Sequence, residues 1–283
     1  MKKEIKILKI IGAGLLTCFS FYYTNLLVDL SKEKDEIMIT IKEKSDDFFV
    51  EPVNATINDD YIIPGISGVS VDTNMSYHKM KSLGSFNDNL FVFINDLPDI
   101  SIEDNYDKYV LSSNKVRREV SLVFVIDDLT YFDKYVKIAK NNNVKLTFFV
   151  DGVFLDKNMQ TVMNNKDYIL LENYGYNKEY SRSKIKYVNN LINNITDSRS
   201  NFCMLFEKDL NVLDMCSKEK MHTVIPKNVS STNPYVYIKE NLNVGNIYYF
   251  ENNNYVTNEL DTIIKFIISK GYNITSLSNL IKE

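Results

Sequence analysis

The sequence contains no tryptophan, and it has few prolines, glycines, cysteines and histidines: 5, 9, 3 and 2 among 283 residues. Three cysteines are too few for the disulfide framework of a small secreted domain. A basic excess is also absent, because 33 Lys and Arg residues stand against 37 Asp and Glu residues. The net charge of −4 argues against a nucleic-acid partner, which would require a basic surface. With 45% hydrophobic and 25% charged residues, the chain has the composition of a globular protein with a sizeable core.

The three cysteines fall in two different settings. Cys18 lies in an apolar amino-terminal stretch, whereas Cys203 and Cys216 lie in the second half of the chain. Two buried free thiols are the favoured interpretation of the second pair, because cysteine is among the residue types most often buried. A Cys203–Cys216 disulfide outside the cytoplasm is the alternative.

The amino terminus joins positive charge to a long apolar stretch. Four lysines within the first nine residues precede the largely apolar residues 10–30, and the charged residues 31–36 follow. About 20 such residues span a bilayer as a helix, and the positive charge keeps the first residues in the cytoplasm. The pattern predicts an uncleaved, single-pass anchor in the cell membrane over residues 1–30, with the rest of the chain outside. A cleaved signal and a lipoprotein modified at Cys18 are weaker alternatives.

The rest of the chain divides into three predicted regions. Residues 31–60 are charged and lack a clear helical period, which predicts a stalk. Residues 61–118 have Pro-Gly turn signals, with a helix pattern over 75–83 and a strand pattern over 90–94, which predicts a small accessory region.

From residue 119 onward, strand and helix patterns alternate. The predicted strands are 121–126, 144–150, 168–171, 202–206, 223–225 and 246–250, and the predicted helices are 132–140, 154–164, 181–195 and 259–270. Alternation of this kind predicts an α/β domain with a parallel sheet, either open or closed into a barrel.

Three segments of this region resemble the polysaccharide deacetylase family. The strand 120–126 ends at the pair Asp127-Asp128, residues 145–152 read Lys-Leu-Thr-Phe-Phe-Val-Asp-Gly, and residues 270–278 read Lys-Gly-Tyr-Asn-Ile-Thr-Ser-Leu-Ser. The family has similar segments at its first strand, its second strand and its end. The resemblance implies a distorted, incomplete (β/α) barrel over residues 119–283.

The resemblance also assigns roles at the ends of the strands. By position, Asp127 matches the family's general base, Asp128 its carboxylate metal ligand and Glu251 the place of its proton-donating histidine. The family's two metal-binding histidines are replaced by Tyr174 and Lys178, and its arginine segment by residues 203–206. A protonated lysine has no lone pair for a metal, so Lys178 is expected to repel a metal or to form a salt bridge with Asp128. The chain's own histidines, His78 and His222, fall at neither ligand position.

The sequence therefore predicts no cofactor, and a divalent metal only if the site is active. A rebuilt carboxylate site of Asp128, Glu172 and Glu251 is one way in which a metal could be held. The simpler interpretation of Asp127 and Asp128 is a pair of carboxylates at the amino terminus of a helix, where negative charge is favourable.

The leading functional hypothesis is a membrane-anchored, extracytoplasmic, deacetylase-like protein. It would act on or bind cell-wall polysaccharide or peptidoglycan without standard metal-dependent deacetylation, and would stack sugar rings on Tyr174, Tyr176, Phe206 and Tyr249. One alternative is an active deacetylase of N-acetylated glycan with a rearranged site. The other is a structural or partner-binding surface protein that works through residues 61–118.

Overall fold

The structure is a computed structural model that describes residues 2–283, although the side chains of residues 2–11 and 13 lie outside this description. The described part of the chain contains ten α-helices. They are α1 (Lys2–Glu33), α2 (Glu36–Ser45), α3 (Thr73–Leu83), α4 (Leu129–Asn142), α5 (Gly152–Met163), α6 (Arg182–Thr196), α7 (Leu210–Lys218), α8 (Pro234–Asn241), α9 (Asn254–Ser269) and α10 (Leu277–Leu280).

The same residues form thirteen strands. They are β1 (Thr56–Asn58), β2 (Tyr61–Ile63), β3 (Gly68–Val71), β4 (Phe93–Asp96), β5 (Tyr109–Val110), β6 (Glu119–Ile126), β7 (Leu146–Val150), β8 (Ile169–Asn173), β9 (Phe202–Met204), β10 (His222–Val224), β11 (Lys227–Asn228), β12 (Ile247–Phe250) and β13 (Asn273–Ile274).

The chain forms two compact units, Met1–Pro52 with Ser67–Asp96, and Val53–Ile66 with Leu97–Glu283. The first unit contains the antiparallel pair β3–β4 and a small core around α2 and α3. Asp35 caps α2 by accepting a hydrogen bond from the Ile37 amide at 3.0 Å, and Met38 and Ile41 are fully buried in this core. The helix α2 was not predicted, because two buried positions in a charged segment are too few to give a helical period.

The predicted membrane anchor falls on α1. A search of the described residues finds no helix both long and apolar enough to cross a membrane. The prediction also rests on Met1 and on side chains of residues 2–11 and 13, which lie outside the description.

The second unit is built on one large sheet. Its strand order is β1-β2-β5-β10-β9-β8-β7-β6-β12-β11, with β13 also paired to β6. All described pairs in this sheet are parallel except β1 with β2. The two edge strands, β1 and β11, do not pair with each other in the described sheet. The barrel is therefore incomplete, as the family resemblance implied.

The curl of the sheet follows from its two cores. Along β6, Val123 and Val125 face one core, while Leu122 and Phe124 face another that holds α4 and α9. Successive residues of a strand point to opposite faces, which explains this alternation. The first core also contains side chains from strands across the whole sheet (Ile62, Val110, Val224, Met204, Phe149 and Ile247). Strands so far apart in the order can share one core only when the sheet is curled around it.

Helix capping explains why two helices begin a few residues before the positions predicted from apolar periodicity. The Asn253 side chain accepts a hydrogen bond from the Val256 amide at 2.9 Å, so α9 begins at Asn254 and not at residue 259. Similarly, α4 begins at Leu129 because Asp128 caps it. Side-chain capping satisfies amides that have no partner within the helix.

Cys203 and Cys216 form a disulfide that joins β9 to α7. The favoured prediction of two free thiols is wrong. Both residues are fully buried, as that prediction assumed, but their Cα atoms lie 6.5 Å apart, within the range a disulfide can bridge. The spacing of two cysteines in a sequence does not show that a strand and the following helix bring them together.

Candidate active site

The candidate site lies beyond the carboxyl ends of the parallel strands. Asp127 follows β6, Lys178 lies in the loop after β8, Phe206 follows β9, and Glu251 follows β12. Loops at this end of a barrel meet over its axis, where active sites are built. The fold thus gathers residues that are up to 124 positions apart, Asp127 to Glu251, at one end of the domain.

An ion pair occupies the centre of this site. The Lys178 ammonium lies 2.7 Å from Oδ2 of Asp127, and both side chains are partly exposed. The hydrogen bond to Asp127 raises the pKa of Lys178, so the ammonium stays charged at neutral pH. The sequence predicted that Lys178 would repel a metal or pair with Asp128, and the carboxylate it pairs with is Asp127.

The loop that carries Lys178 is held in an unusual conformation. Gly175, Asn177 and Lys178 all have positive φ, at 74°, 56° and 58°. The buried Asp151 stabilises this turn: its Oδ2 accepts a hydrogen bond from the Lys178 amide at 2.6 Å, while its Oδ1 accepts one from Val153 at the start of α5. Asp151 was visible in the second strand motif, but the motif gave no sign of its role in placing Lys178.

Asp128 is the amino-terminal cap of α4. Its Oδ1 accepts a hydrogen bond from the Thr130 amide at 2.6 Å, and the Thr130 side chain is the largest cause of a lowered pKa for Asp128. The carboxylate is therefore ionised and engaged with the helix. This placement matches the simpler sequence interpretation of the pair, and it leaves the metal-ligand role of Asp128 a prediction.

Hydrogen bonds of Asn173 and Tyr180 hold the loop after β8 in place. The buried Asn173 side chain donates hydrogen bonds to the Ile185 carbonyl and to Asn189, and accepts one from Gly175. The Tyr180 hydroxyl contacts the backbone of Met204, and burial strongly raises its pKa. The loop after β8 is thereby hydrogen-bonded to the end of β9.

Tyr174, Phe206 and Tyr249 line two adjoining cavities at this end of the barrel. Tyr174 and Phe206 line one of about 450 Å³, and Phe206, Tyr249 and Glu251 line one of about 330 Å³. The Phe206 and Tyr249 rings meet edge to face, with centroids 4.7 Å apart. We call the two cavities together the groove. Both aromatic and polar side chains line it, and the single residue common to both cavities is Phe206.

Tyr176 lies elsewhere. Its hydroxyl donates to Asp156 at 3.2 Å, and its ring packs edge to face on Tyr187 of α6. Tyr176 is thus on the helical side of the loop, apart from the three groove aromatics. Glu172 is also apart, because it is 1% exposed and its Oε2 accepts hydrogen bonds from Ser200, Asn201 and Phe202. A carboxylate site of Asp128, Glu172 and Glu251 does not form.

The residues at the site do not fit a divalent metal. A metal-binding deacetylase site needs three protein ligands and an open position. Here an ammonium and a phenol, Lys178 and Tyr174, stand at the two imidazole positions, and burial raises the pKa of the phenol, so it stays protonated. Within the described residues, no group of three or more His, Cys, Asp or Glu side chains is placed to hold a metal ion.

Solved structures with a similar fold identify the architecture. Wild-type BA3943, a CE4 family pseudoenzyme from Bacillus anthracis, matches with a TM-score of 0.65 at 21% identity, over 88% of this chain and 96% of that chain. PdaA from Bacillus subtilis, a family 4 carbohydrate esterase, matches with a TM-score of 0.54 at 17% identity, over 82% of this chain and 97% of that chain. The chain has the polysaccharide deacetylase fold.

A further match to this fold is the Bc1960 peptidoglycan N-acetylglucosamine deacetylase, with a TM-score of 0.55 at 21% identity, over 61% of this chain and 92% of that chain. The fold expected from the two opening strand motifs is confirmed. At these identities the likeness establishes the deacetylase fold alone.

Sequence comparison adds one relative. No family model matches the chain. The uncharacterized protein YlxY of Bacillus subtilis is 29% identical over 153 residues, which are 53% of this chain and 48% of YlxY. The chain thus spans about half the length of the curated relative it matches.

Proposed function

We propose that the protein is a divergent polysaccharide deacetylase that binds cell-wall glycan and has lost metal-dependent deacetylation. The observation that carries this proposal is the 2.7 Å ion pair between Lys178 and Asp127. Asp127 stands where the family has its general base, and a base bound to an ammonium is not free to take a proton from water. Lys178 also places a fixed positive charge where a metal cation would have to bind.

The groove supports the binding half of the proposal. Aromatic side chains at a polar, accessible cleft offer flat apolar surface to the faces of sugar rings. Phe206 is 41% exposed and so is available for stacking, while Tyr174 and Tyr249 are half-buried beside it. Neighbours of the same fold include a peptidoglycan N-acetylglucosamine deacetylase and a CE4 family pseudoenzyme, which supports peptidoglycan as the ligand class.

Replacing Phe206 with Ala is expected to weaken binding of chitotetraose or a peptidoglycan fragment about tenfold, equivalent to about 1.4 kcal/mol, because the exposed stacking surface is lost. Calorimetry or ligand-observed NMR measures the change. Tyr255→Ala is the matched control, because Tyr255 is an exposed aromatic residue that lines neither cavity of the groove. Equal affinity of wild type and Phe206→Ala would show that the groove does not bind glycan.

We further propose that the barrel works outside the cytoplasm, attached to the membrane through α1. The Cys203–Cys216 disulfide supports an oxidising compartment. Exposed apolar residues of α1, among them Leu16, Phe21 and Leu27, support burial of this helix in lipid. Protease added to intact cells should then cut the barrel. In cells not treated with protease, the full-length protein should be found in the membrane fraction. A protein fully protected until lysis contradicts the orientation.

A further inference from the structure

A separate cavity of about 300 Å³ lies at the opposite end of the barrel. Its lining includes Phe202 and His222, the first residues of β9 and β10, so it lies at the amino ends of these strands. The groove lies at their carboxyl ends, and the two share no lining residue. The cavity is therefore a separate site from the groove.

The walls of this cavity are largely apolar. Ile102, Phe202 and Ile281 are buried side chains of the barrel core that also line the cavity. The Tyr106 ring is stacked on His222, with centroids 4.4 Å apart and planes inclined by 20°. Such walls accept a flat apolar body, because burying it removes apolar surface from water.

His222 gives the cavity a polar group without a hydrogen bond. The side chain is 3% exposed, and neither ring nitrogen has a hydrogen-bond partner in the described chain. The Glu103 carboxylate lies 3.7 Å from Nε2, which is longer than a hydrogen bond. A buried polar group without a hydrogen bond destabilises the protein, and a ligand that supplies a partner removes this cost.

The two carboxylates of the cavity are satisfied within the chain. Glu283 accepts hydrogen bonds from the Gly65 amide at 2.7 Å, from the Ile102 amide at 3.1 Å and from the Ser101 hydroxyl. His222 and the Tyr106 hydroxyl lower the pKa of Glu103 to about 2, and that hydroxyl donates to it. Both carboxylates therefore already have hydrogen-bond donors within the chain.

The two lysines of the cavity are different. Among residues 2–283, neither Lys220 nor Lys282 forms an ion pair with a carboxylate, although nearby Lys218 is paired with Asp214 at 2.6 Å. These two ammonium groups are thus charged groups of the cavity that have no hydrogen-bond or ion-pair partner in the described chain. A ligand with an apolar body and one negative charge matches the walls and gives these ammonium groups a partner.

We propose that the amino-end cavity is a binding site for a small organic anion, an apolar ring system bearing a carboxylate or a phosphate. Its body lies against Phe202 and Ile281, and its anionic group faces Lys220 and Lys282. The volume of about 300 Å³ accommodates a bicyclic aromatic compound.

The test is a calorimetric titration of the full chain with 2-naphthoate, 2-naphthyl phosphate and the neutral 2-naphthylmethanol. At least one anion is expected to bind with a Kd below about 1 mM, and the alcohol at least about tenfold more weakly. The two anions distinguish a carboxylate from a phosphate ligand. A Lys220→Gln, Lys282→Gln variant should lose at least about tenfold in affinity for the anion. Both lysines are exposed residues at the rim, so the fold is retained.

Two variants serve as controls. Lys218→Gln removes a lysine that is already paired, and Phe206→Ala alters only the groove, so both should bind the anion as the wild type does. Equal binding of alcohol and anion, no binding at about 5 mM, or unchanged affinity of the double lysine variant would each overturn the proposal. Loss of binding in Phe206→Ala would also overturn it, because the probe would then occupy the groove.

Discussion

A Tyr174→His, Lys178→His double variant is expected to bind Zn²⁺ with a Kd of about 1 μM or tighter, whereas the wild type binds none at about 1 mM. The change removes the ammonium that pairs with Asp127 and supplies imidazoles at the two positions where the family has its metal-binding histidines. Histidine also suits position 178, where φ is 58°, because it is among the non-glycine residues that adopt this region most readily. The gain is therefore at least about a thousandfold.

Calorimetry and elemental analysis of the dialysed protein measure this gain. Tyr174→His combined with Lys178→Met is the matched control, because it removes the same charge but supplies only one imidazole. Adding Asp128→Ala to the double variant should abolish binding. If the control binds zinc as tightly as the double variant, repulsion by Lys178 alone keeps the metal out. If the double variant binds none, positions 174 and 178 do not converge with Asp128.

A Glu172→Gln variant is expected to gain stability relative to the wild type as the pH rises from 5 to 8, by about 3.5 kcal/mol in total. Burial of the carboxyl away from water outweighs its three hydrogen-bond donors and raises its pKa from 4.5 to about 8. The folded protein therefore keeps a proton that the unfolded chain loses near pH 4.5.

The sign follows from proton linkage. A raised carboxyl pKa gives a contribution to stability that is fully present below about pH 4.5 and is lost as the pH rises through about 8. The amide introduced by Glu172→Gln is neutral at every pH. The variant therefore does not lose this contribution to stability as the pH rises. Urea unfolding at intervals from pH 4.5 to 8.5 measures both profiles, with Glu240→Gln on the exposed face of α8 as a surface-charge control. Parallel profiles for wild type and Glu172→Gln would mean that Glu172 is ionised in the folded state.

Much of the barrel could be predicted because its strands are buried on both faces. Seven of the eight residues of β6 are buried and apolar or small, so the strand appears in the sequence as one continuous run. The Asp127-Asp128 pair marks its end. In contrast, α2 buries only Met38 and Ile41. With charged residues around them, these two positions do not give a recognisable apolar period.

The sequence could predict where a site residue lies only when the end of a strand determines its location. Asp127, Lys178, Phe206 and Glu251 lie at strand ends or in the loops that follow them, so all reach the same end of the barrel. Tyr176 lies in the same loop as Lys178, but the positive φ angles of Gly175 and Asn177 redirect the chain, and its ring turns toward α6. Glu172 and Asp151 depend on hydrogen bonds to residues distant in sequence, which no local pattern encodes.

The most direct test of the central claim is a metal titration of the wild-type protein combined with an assay of acetate release from chitooligosaccharides and peptidoglycan fragments. Zn²⁺, Mn²⁺, Co²⁺ and Ca²⁺ should show no binding at about 1 mM, and no acetate should be released, while glycan binding remains measurable. Stoichiometric metal binding that Asp128→Ala abolishes, together with acetate release, would contradict the account. It would mean that Lys178 leaves Asp127 on substrate binding and that the deacetylase chemistry survives.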